Sequence, residues 1–195
     1  MTRLLDVVIS AFGVLLLAPL LAAIAMIVKL TSRGPVLYGA ARVGKDGRSF
    51  KLYKFRSMYV AESADQPRLT RRGDIRVTPV GRVLRRLKFD ELPQLYNVLR
   101  GDMSLVGPRP EDAKYVALYT REDRRVLTVR PGITSAVSLE YRDEEELLDR
   151  EDWEQHYVNV VMRDKLRGEL AYLDRRTIVS DFLVLTRTLL PLFRR

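Results

Sequence analysis

The chain has 195 residues, with 34 Lys and Arg against 25 Asp and Glu, a net charge of +9 and a pI near 10.0; this length fits one domain with a real core and leaves little room for two. The positive balance favours anionic partners: nucleic acid, anionic lipid headgroups or phosphorylated substrates. The absence of cysteine and the single histidine, His156, exclude a disulfide framework, thiolate zinc sites, a cysteine nucleophile and a histidine cluster.

Apolar residues crowd the start. Val7–Val28 carries no charge and can cross a bilayer core, which takes about 20 helical residues. The run is longer than the apolar core of a secretory leader, and Lys29 and Arg33 follow it. Pro19 sits near its middle, where a missing amide and a ring clash kink or break a helix. Basic residues on both flanks, Arg3 on one side and Lys29, Arg33 and Arg42 on the other, fit a cytoplasmic location for each end. The residues leave two forms open, a spanning helix and a re-entrant helix-break-helix that turns at Ala18-Pro19.

Gly34-Pro35 closes this segment. Val36–Arg42 and Arg48–Arg56 read as two short strands joined by Gly44-Lys45-Asp46-Gly47, since Asp-Gly between alternating apolar residues marks a hairpin. Residues 61–78 are polar and read as a loop. Val80–Leu87 reads as a short basic helix. Leu92, Leu95, Tyr96 and Leu99 recur at helical spacing, and Gly101 stops that helix. Glu111–Thr128 is expected to be helical, Pro131-Gly132 punctuates, and Asp143–Leu173 is expected to be largely helical with Trp153, Tyr157, Val160 and Val161 facing inward. In Ile178–Arg195 the residues Phe182, Leu183, Leu185, Leu189, Leu190, Leu192 and Phe193 stand among Arg187, Arg194 and Arg195. Such a helix suits either the membrane interface or a core position.

The chemistry concentrates at Asp90 and Glu91, adjacent carboxylates at an expected helix start between two sources of positive charge. Arg82, Arg85, Arg86 and Lys88 precede them. Arg109 follows between Pro108 and Pro110, which fix its backbone. A guanidinium binds phosphate through paired hydrogen bonds. A carboxylate can attack phosphorus as a nucleophile and can serve Mg²⁺ as a hard oxygen ligand. A neighbouring carboxylate can manage protons. The local pattern also fits a blander reading, in which Asp90 caps the helix, worth about 1 kcal/mol, and the arginines form a lipid-headgroup patch.

The motifs in their order resemble one family, the bacterial sugar transferases, also called monotopic phosphoglycosyl transferases. The matching pieces are the apolar start broken at Ala18-Pro19, Lys54-Phe55-Arg56-Ser57-Met58, Gly81-Arg82-Val83-Leu84-Arg85, Asp90-Glu91-Leu92-Pro93-Gln94-Leu95, Asn97 through Ser104, Val106-Gly107-Pro108-Arg109-Pro110 and Arg130-Pro131-Gly132-Ile133-Thr134. The resemblance implies transfer of a sugar-1-phosphate from a UDP-sugar to polyprenol phosphate, with release of UMP, at the cytoplasmic face of the bacterial inner membrane. It implies an aspartyl-phosphosugar intermediate on Asp90, with Glu91 as acid/base and Mg²⁺ as cofactor, touched by Asp90. Arg85, Arg109 and Lys54 would hold phosphate, and Gln94, Pro108 and Pro110 would line the nucleotide and substrate site.

The implied fold class is α+β, mostly helical. Residues 1–33 would form a re-entrant membrane hairpin of helices that enters one leaflet, and residues 34–195 a membrane-associated catalytic domain with a small β-hairpin and interfacial amphipathic helices. The partners would be UDP-sugar, polyprenol phosphate and membrane lipids, with no nucleic acid; a homodimer is compatible. Two departures stand out. Ala18 replaces the serine usual before the proline, whose hydroxyl can reinforce a bend. Ser135–Arg142 replaces a Gly-x-x-Gln-type segment, so the identity of the sugar does not carry over. Two other classes stay in view: a non-catalytic module that binds anionic lipid through its basic face, and a nucleic-acid binder, against which the long apolar start argues.

Overall fold

The computed structural model describes residues 2–60, 73–141 and 152–193. Part of the expected loop (61–72), the start of an expected helix (143–151), Arg142, Arg194 and Arg195 lie outside the described residues, as do the side chains of Leu189, Leu192 and Phe193.

Helix α1 runs from Arg3 to Thr31 with Pro19 inside it. It is one helix, not two helices separated by a non-helical stretch: helical backbone continues through Ala18 and Pro19. Among the described residues it is one helix long and apolar enough to cross a membrane. Its ends, however, are bound into the rest of the molecule. Near the start, the Arg3 guanidinium donates to Val98 O at 2.6 Å and Leu99 O at 3.0 Å, main-chain carbonyls in the last turn of a later helix. Asp6 is buried and accepts from the Ser104 hydroxyl at 2.8 Å and the Leu105 amide at 3.1 Å. Near the end, Ile24 and Val28 pack with Phe55 and Leu84. There the buried Arg56 donates to Val28 O at 3.2 Å, Ser32 O at 2.7 Å and Pro35 O. The outward face, including Leu4, Val8, Phe12, Leu15, Leu16, Met26 and Leu30, is exposed.

Strands β1 (Leu37–Val43) and β2 (Ser49–Phe55) form the expected antiparallel hairpin, in register from Leu37 opposite Phe55 to Val43 opposite Ser49. The connecting turn places Asp46 and Gly47 at φ 56° and 73°, a conformation that the Asp-Gly pair tolerates. Helix α2 spans Pro79–Leu87 and starts at Thr78, whose hydroxyl accepts from the Gly81 amide at 2.9 Å. Helix α3 spans Gln94–Arg100 and ends at Gly101, φ 93°, in the left-handed conformation typical after a helix.

Two short strands that the sequence patterns did not announce follow. β3 (Ser104–Val106) and β4 (Gly132–Thr134) pair in parallel, with Ser104 opposite Gly132 and Val106 opposite Thr134. Backbone packs on backbone here: a Cβ at Gly132 would lie 2.1 Å from Gly107 N, and one at Gly107 would lie 2.5 Å from Arg130 O. The expected helix over Glu111–Thr128 is only a single turn, α4 (Ala113–Val116), and a 3₁₀ turn over Asp123–Thr128. Asp112 caps the first and Thr120 bonds Asp123 before the second, so local side-chain bonds compete with one continuous helix.

Helix α5 (Ala136–Glu140) is capped by Ser135. A helical stretch from Trp153 contains a π turn at Tyr157–Val161 and continues as α6 (Met162–Asp174). Tyr157 and Val161 face inward as expected and Trp153 is half-buried, whereas Val160 is exposed. The extra residue of a π turn shifts the register of the inward face, which is why a simple helical period misplaces Val160. Helix α7 (Ile178–Phe193) buries Asp181 and Val184 and leaves Ile178, Val179, Phe182 and Leu183 exposed. Three apolar clusters hold these parts. One joins α1 to α2 and β2, one joins the hairpin, α3, β3 and α7, and one joins Tyr115 and Val126 to α6.

Candidate active site

The acid pair lies in a 3₁₀ turn, Phe89–Glu91, between α2 and α3. It is not a helix cap: α3 begins at Gln94, and Pro93 precedes it without a side-chain cap. The turn is set by Lys88, whose φ of 58° reverses the chain after α2. Arg85 stands half-buried in the last turn of α2, and Arg82, Arg86 and Lys88 point to solvent.

Glu91 is the centre of a charge cluster. Its Oε1 accepts from Lys54 Nζ at 2.7 Å and from the Arg109 guanidinium at 2.8 Å. Burial alone would push the Glu91 carboxyl up, but Arg109 and Lys54 outweigh it and hold the group well below the usual carboxylate range. Glu91 is therefore ionised at neutral pH. Asp90 has a different environment. It is 5% exposed, and its Oδ1 is buried with no hydrogen-bond partner. Burial pushes its carboxyl above the ordinary range, Glu91 adds to that, and Lys54, Arg85 and Lys88 oppose it. A buried acceptor left unpaired costs about 1–3 kcal/mol, so it marks a group held ready for something else.

Each cation arrives from a separate element. Lys54 sits near the end of β2, and β2 is fixed by Asn97 from the middle of α3. Asn97 is fully buried; its Oδ1 accepts from the Tyr53 amide at 3.0 Å and its Nδ2 donates to Lys51 O at 2.7 Å. The side chain thus acts as a strand partner for β2. Arg109 is held by β3 and β4: Gly107 N donates to Thr134 O at 3.0 Å and Gly132 N to Pro108 O at 2.9 Å. Pro108 is buried and Pro110 half-buried, and the prolines restrict φ on both sides of the arginine. Gln94 is buried at the first turn of α3, next to the pair.

The structure thus brings Asp90, Glu91, Lys54 and Arg109 together, with Arg85 near enough to act on Asp90. Asn97 and Arg56 carry the geometry without an assigned role in the sequence reading. The signal for Asn97 was a poor helix former among apolar residues in a helical run. A small cavity beside Arg109 is lined by Gly44, Pro108, Pro110, Tyr119 and Leu127 among others.

The whole chain, residues 1–195, matches the family described as bacterial sugar transferase. Among similar curated proteins, UDP-N-acetylgalactosamine-undecaprenyl-phosphate N-acetylgalactosaminephosphotransferase of Aeromonas hydrophila is 45% identical over 67% of this chain and 31% of its own length. A UDP-glucose:undecaprenyl-phosphate glucose-1-phosphate transferase of Klebsiella pneumoniae is 41% identical over 76% of this chain and 33% of its own length. One of the same name from Caulobacter vibrioides is 37% identical over 95% of this chain and 67% of its own length. The chain therefore spans about a third of the first two relatives and two thirds of the third.

Proposed function

The chain belongs to the bacterial sugar transferase family, and on that premise we propose that it moves a sugar-1-phosphate from a UDP-sugar to polyprenol phosphate, releasing UMP, as an initiating step of surface glycan synthesis. The observation that carries this reading is the buried, unpartnered Oδ1 of Asp90 beside the Lys54–Glu91–Arg109 cluster. A nucleophile must be uncommitted, and phosphate needs converging cations.

In the first step a carboxylate oxygen of Asp90 attacks the sugar-bearing phosphorus, the bond to UMP breaks, and UMP leaves with the electron pair. In the second, a phosphate oxygen of the lipid acceptor attacks the same phosphorus and the Asp90 carboxylate is released. A covalent route suits a site that meets a soluble nucleotide and an embedded lipid in turn. Arg109, Lys54 and Arg85 neutralise the diphosphate, with Gln94, Pro108 and Pro110 lining the nucleotide side. Glu91 takes the acid/base role: once Lys54 and Arg109 turn to the incoming phosphates, its carboxyl is released from the pairs that hold it low and can take a proton from an acceptor phosphate that arrives protonated.

Magnesium fits the residues present. Among the described residues no group of three or more His, Cys, Asp and Glu side chains converges, but Mg²⁺ takes one or two carboxylates, water and substrate phosphates. Asp90 would hold it, and the bound ion would offset charge on the phosphates.

The contacts of α1 support a one-sided membrane placement. Both its ends are bonded to the same body, through Arg3 and Asp6 at one and Arg56 at the other. A helix that crosses a bilayer carries its ends to opposite faces, about 30 Å apart. This supports a monotopic reading, with the outer face of α1 and the exposed residues of α7 in lipid; the cytoplasmic face of the inner membrane is the side where the UDP-sugar of the proposed reaction would be met. A bend at Pro19 would let α1 dip into one leaflet and return.

The test is UMP release in detergent or nanodiscs with Mg²⁺, polyprenol phosphate and a panel of UDP-sugars. The parent should release UMP with at least one sugar, and Asp90→Asn should lower turnover by at least about 10³-fold. Near-normal turnover by that variant would remove Asp90 as nucleophile. Vesicle binding with no turnover of any UDP-sugar would favour the non-catalytic lipid-binding module instead.

A further inference from the structure

Glu169 lies in α6 beside Leu166 and Leu170, and only 5% of it is exposed. The transfer chemistry above does not use it, and burying an acid without a compensating role is unfavourable. Its Oε1 accepts a 2.6 Å hydrogen bond from the Ser135 hydroxyl, and its Oε2 is buried without a partner. Burial raises its pKa, opposed by the Ser135 hydroxyl, by Lys165, by the backbone amide of Arg109 and by Arg176.

Ser135 directly follows β4, and β4 carries the turn that bears Arg109. Thr134 O accepts from Gly107 N, and Pro108 O accepts from Gly132 N. The Glu169–Ser135 bond thus anchors the end of the strand on which the Gly107-Pro108 turn is hydrogen-bonded. Ahead of this support, the guanidinium extends to Glu91 Oε1 at 2.8 Å.

We propose that Glu169 is a positioning residue, which through Ser135, β4 and the Gly107-Pro108 turn fixes the direction of the Arg109 guanidinium and so sets the affinity of the site for the nucleotide's phosphate. The inference rests on the phosphate-binding role given to Arg109 above. It differs from a merely structural contact between α5 and α6, because its effect must pass through one side chain.

A double-mutant cycle isolates that path. UMP affinity would be measured by calorimetry on the full chain in detergent micelles, for the parent, Glu169→Ala, Arg109→Ala and the double variant. Glu169→Ala should weaken UMP binding about tenfold, and the double variant should bind no more weakly than Arg109→Ala alone. Glu169→Gln, which keeps an oxygen acceptor for Ser135, should restore most of the affinity. If Glu169→Ala does not fold, Ser135→Ala in the same cycle should show the same coupling to Arg109. Parent-like affinity of Glu169→Ala, or a loss that adds in full to that of Arg109→Ala, overturns the proposal. Parent-like affinity of Arg109→Ala is a separate pattern: it removes the phosphate role of Arg109 and this inference with it.

Discussion

Asp90 and Glu169 are each 5% exposed, and burial raises the pKa of both carboxyls. For Glu169 this has a stability consequence with a definite sign. A carboxyl whose pKa is higher folded than unfolded contributes stability that is complete below its ordinary range, and that is lost as pH rises through the folded value. The groups facing it, Ser135, Lys165, Arg176 and the Arg109 amide, moderate the rise without cancelling it. Glu169→Gln abolishes the titration, so its melting temperature relative to the parent should climb from about pH 4 toward neutrality. Thermal unfolding at several pH values checks this, and a gap that stays flat would mean that Glu169 does not titrate in this way. The acid pair and Arg109 were legible in the sequence, because they lie close along the chain among basic residues and prolines. Lys54 entered only through the family motif, since it meets Glu91 across 37 positions. Glu169 and Asn97 were not read as site residues, because each works through a partner 34 or 44 positions away.

The β-hairpin, α2 and the end of α3 were read close to their true limits, because Asp46-Gly47, Thr78-Pro79 and Gly101 each impose a local backbone conformation. The parallel pair of β3 and β4 escaped, because three-residue strands carry no alternation to detect and their partner lies far along the chain. Its sequence trace is the two glycines, whose lack of a side chain lets Gly107 and Gly132 touch. Gly132→Ala should therefore destabilise the fold by about 3 kcal/mol through overpacking of main chain on main chain. It should also weaken UMP binding, since the same contact carries Arg109. Gly39→Ala, where a Cβ would meet Lys51 at an ordinary 3.7 Å, should change stability by less than about 0.5 kcal/mol. Denaturant titration of both variants measures the difference, and equal effects would show that the contact between the strands does not constrain the fold.

The molecule as a whole holds its most apolar element at both ends. The sequence left spanning and re-entrant forms open, because charge on the flanks of α1 is the same for either. Contacts of Arg3, Asp6 and Arg56 with distant residues, which no local pattern encodes, favour the one-sided form. The chain has no cysteine, so Thr2→Cys and Lys45→Cys can each be introduced alone, both at exposed positions. In inverted membrane vesicles both should react with a membrane-impermeant maleimide, and in intact cells neither should. Labelling of the two sites from opposite faces would establish a spanning helix.

Asp6 and Arg56 give α1 a structural duty besides the membrane attachment proposed for it. The amide of Leu105 and the hydroxyl of Ser104 have the Asp6 carboxylate as acceptor, and the buried guanidinium of Arg56 spends its bonds on the far end of the same helix. Clipping away the first three dozen residues to obtain a water-soluble enzyme would strand those donors inside the remaining body, next to the strand that leads into the Arg109 turn and the hairpin that bears Lys54. The apolar helix and the scaffold of the acid pair are in this sense one part, and solubility cannot be gained at one without loosening the other.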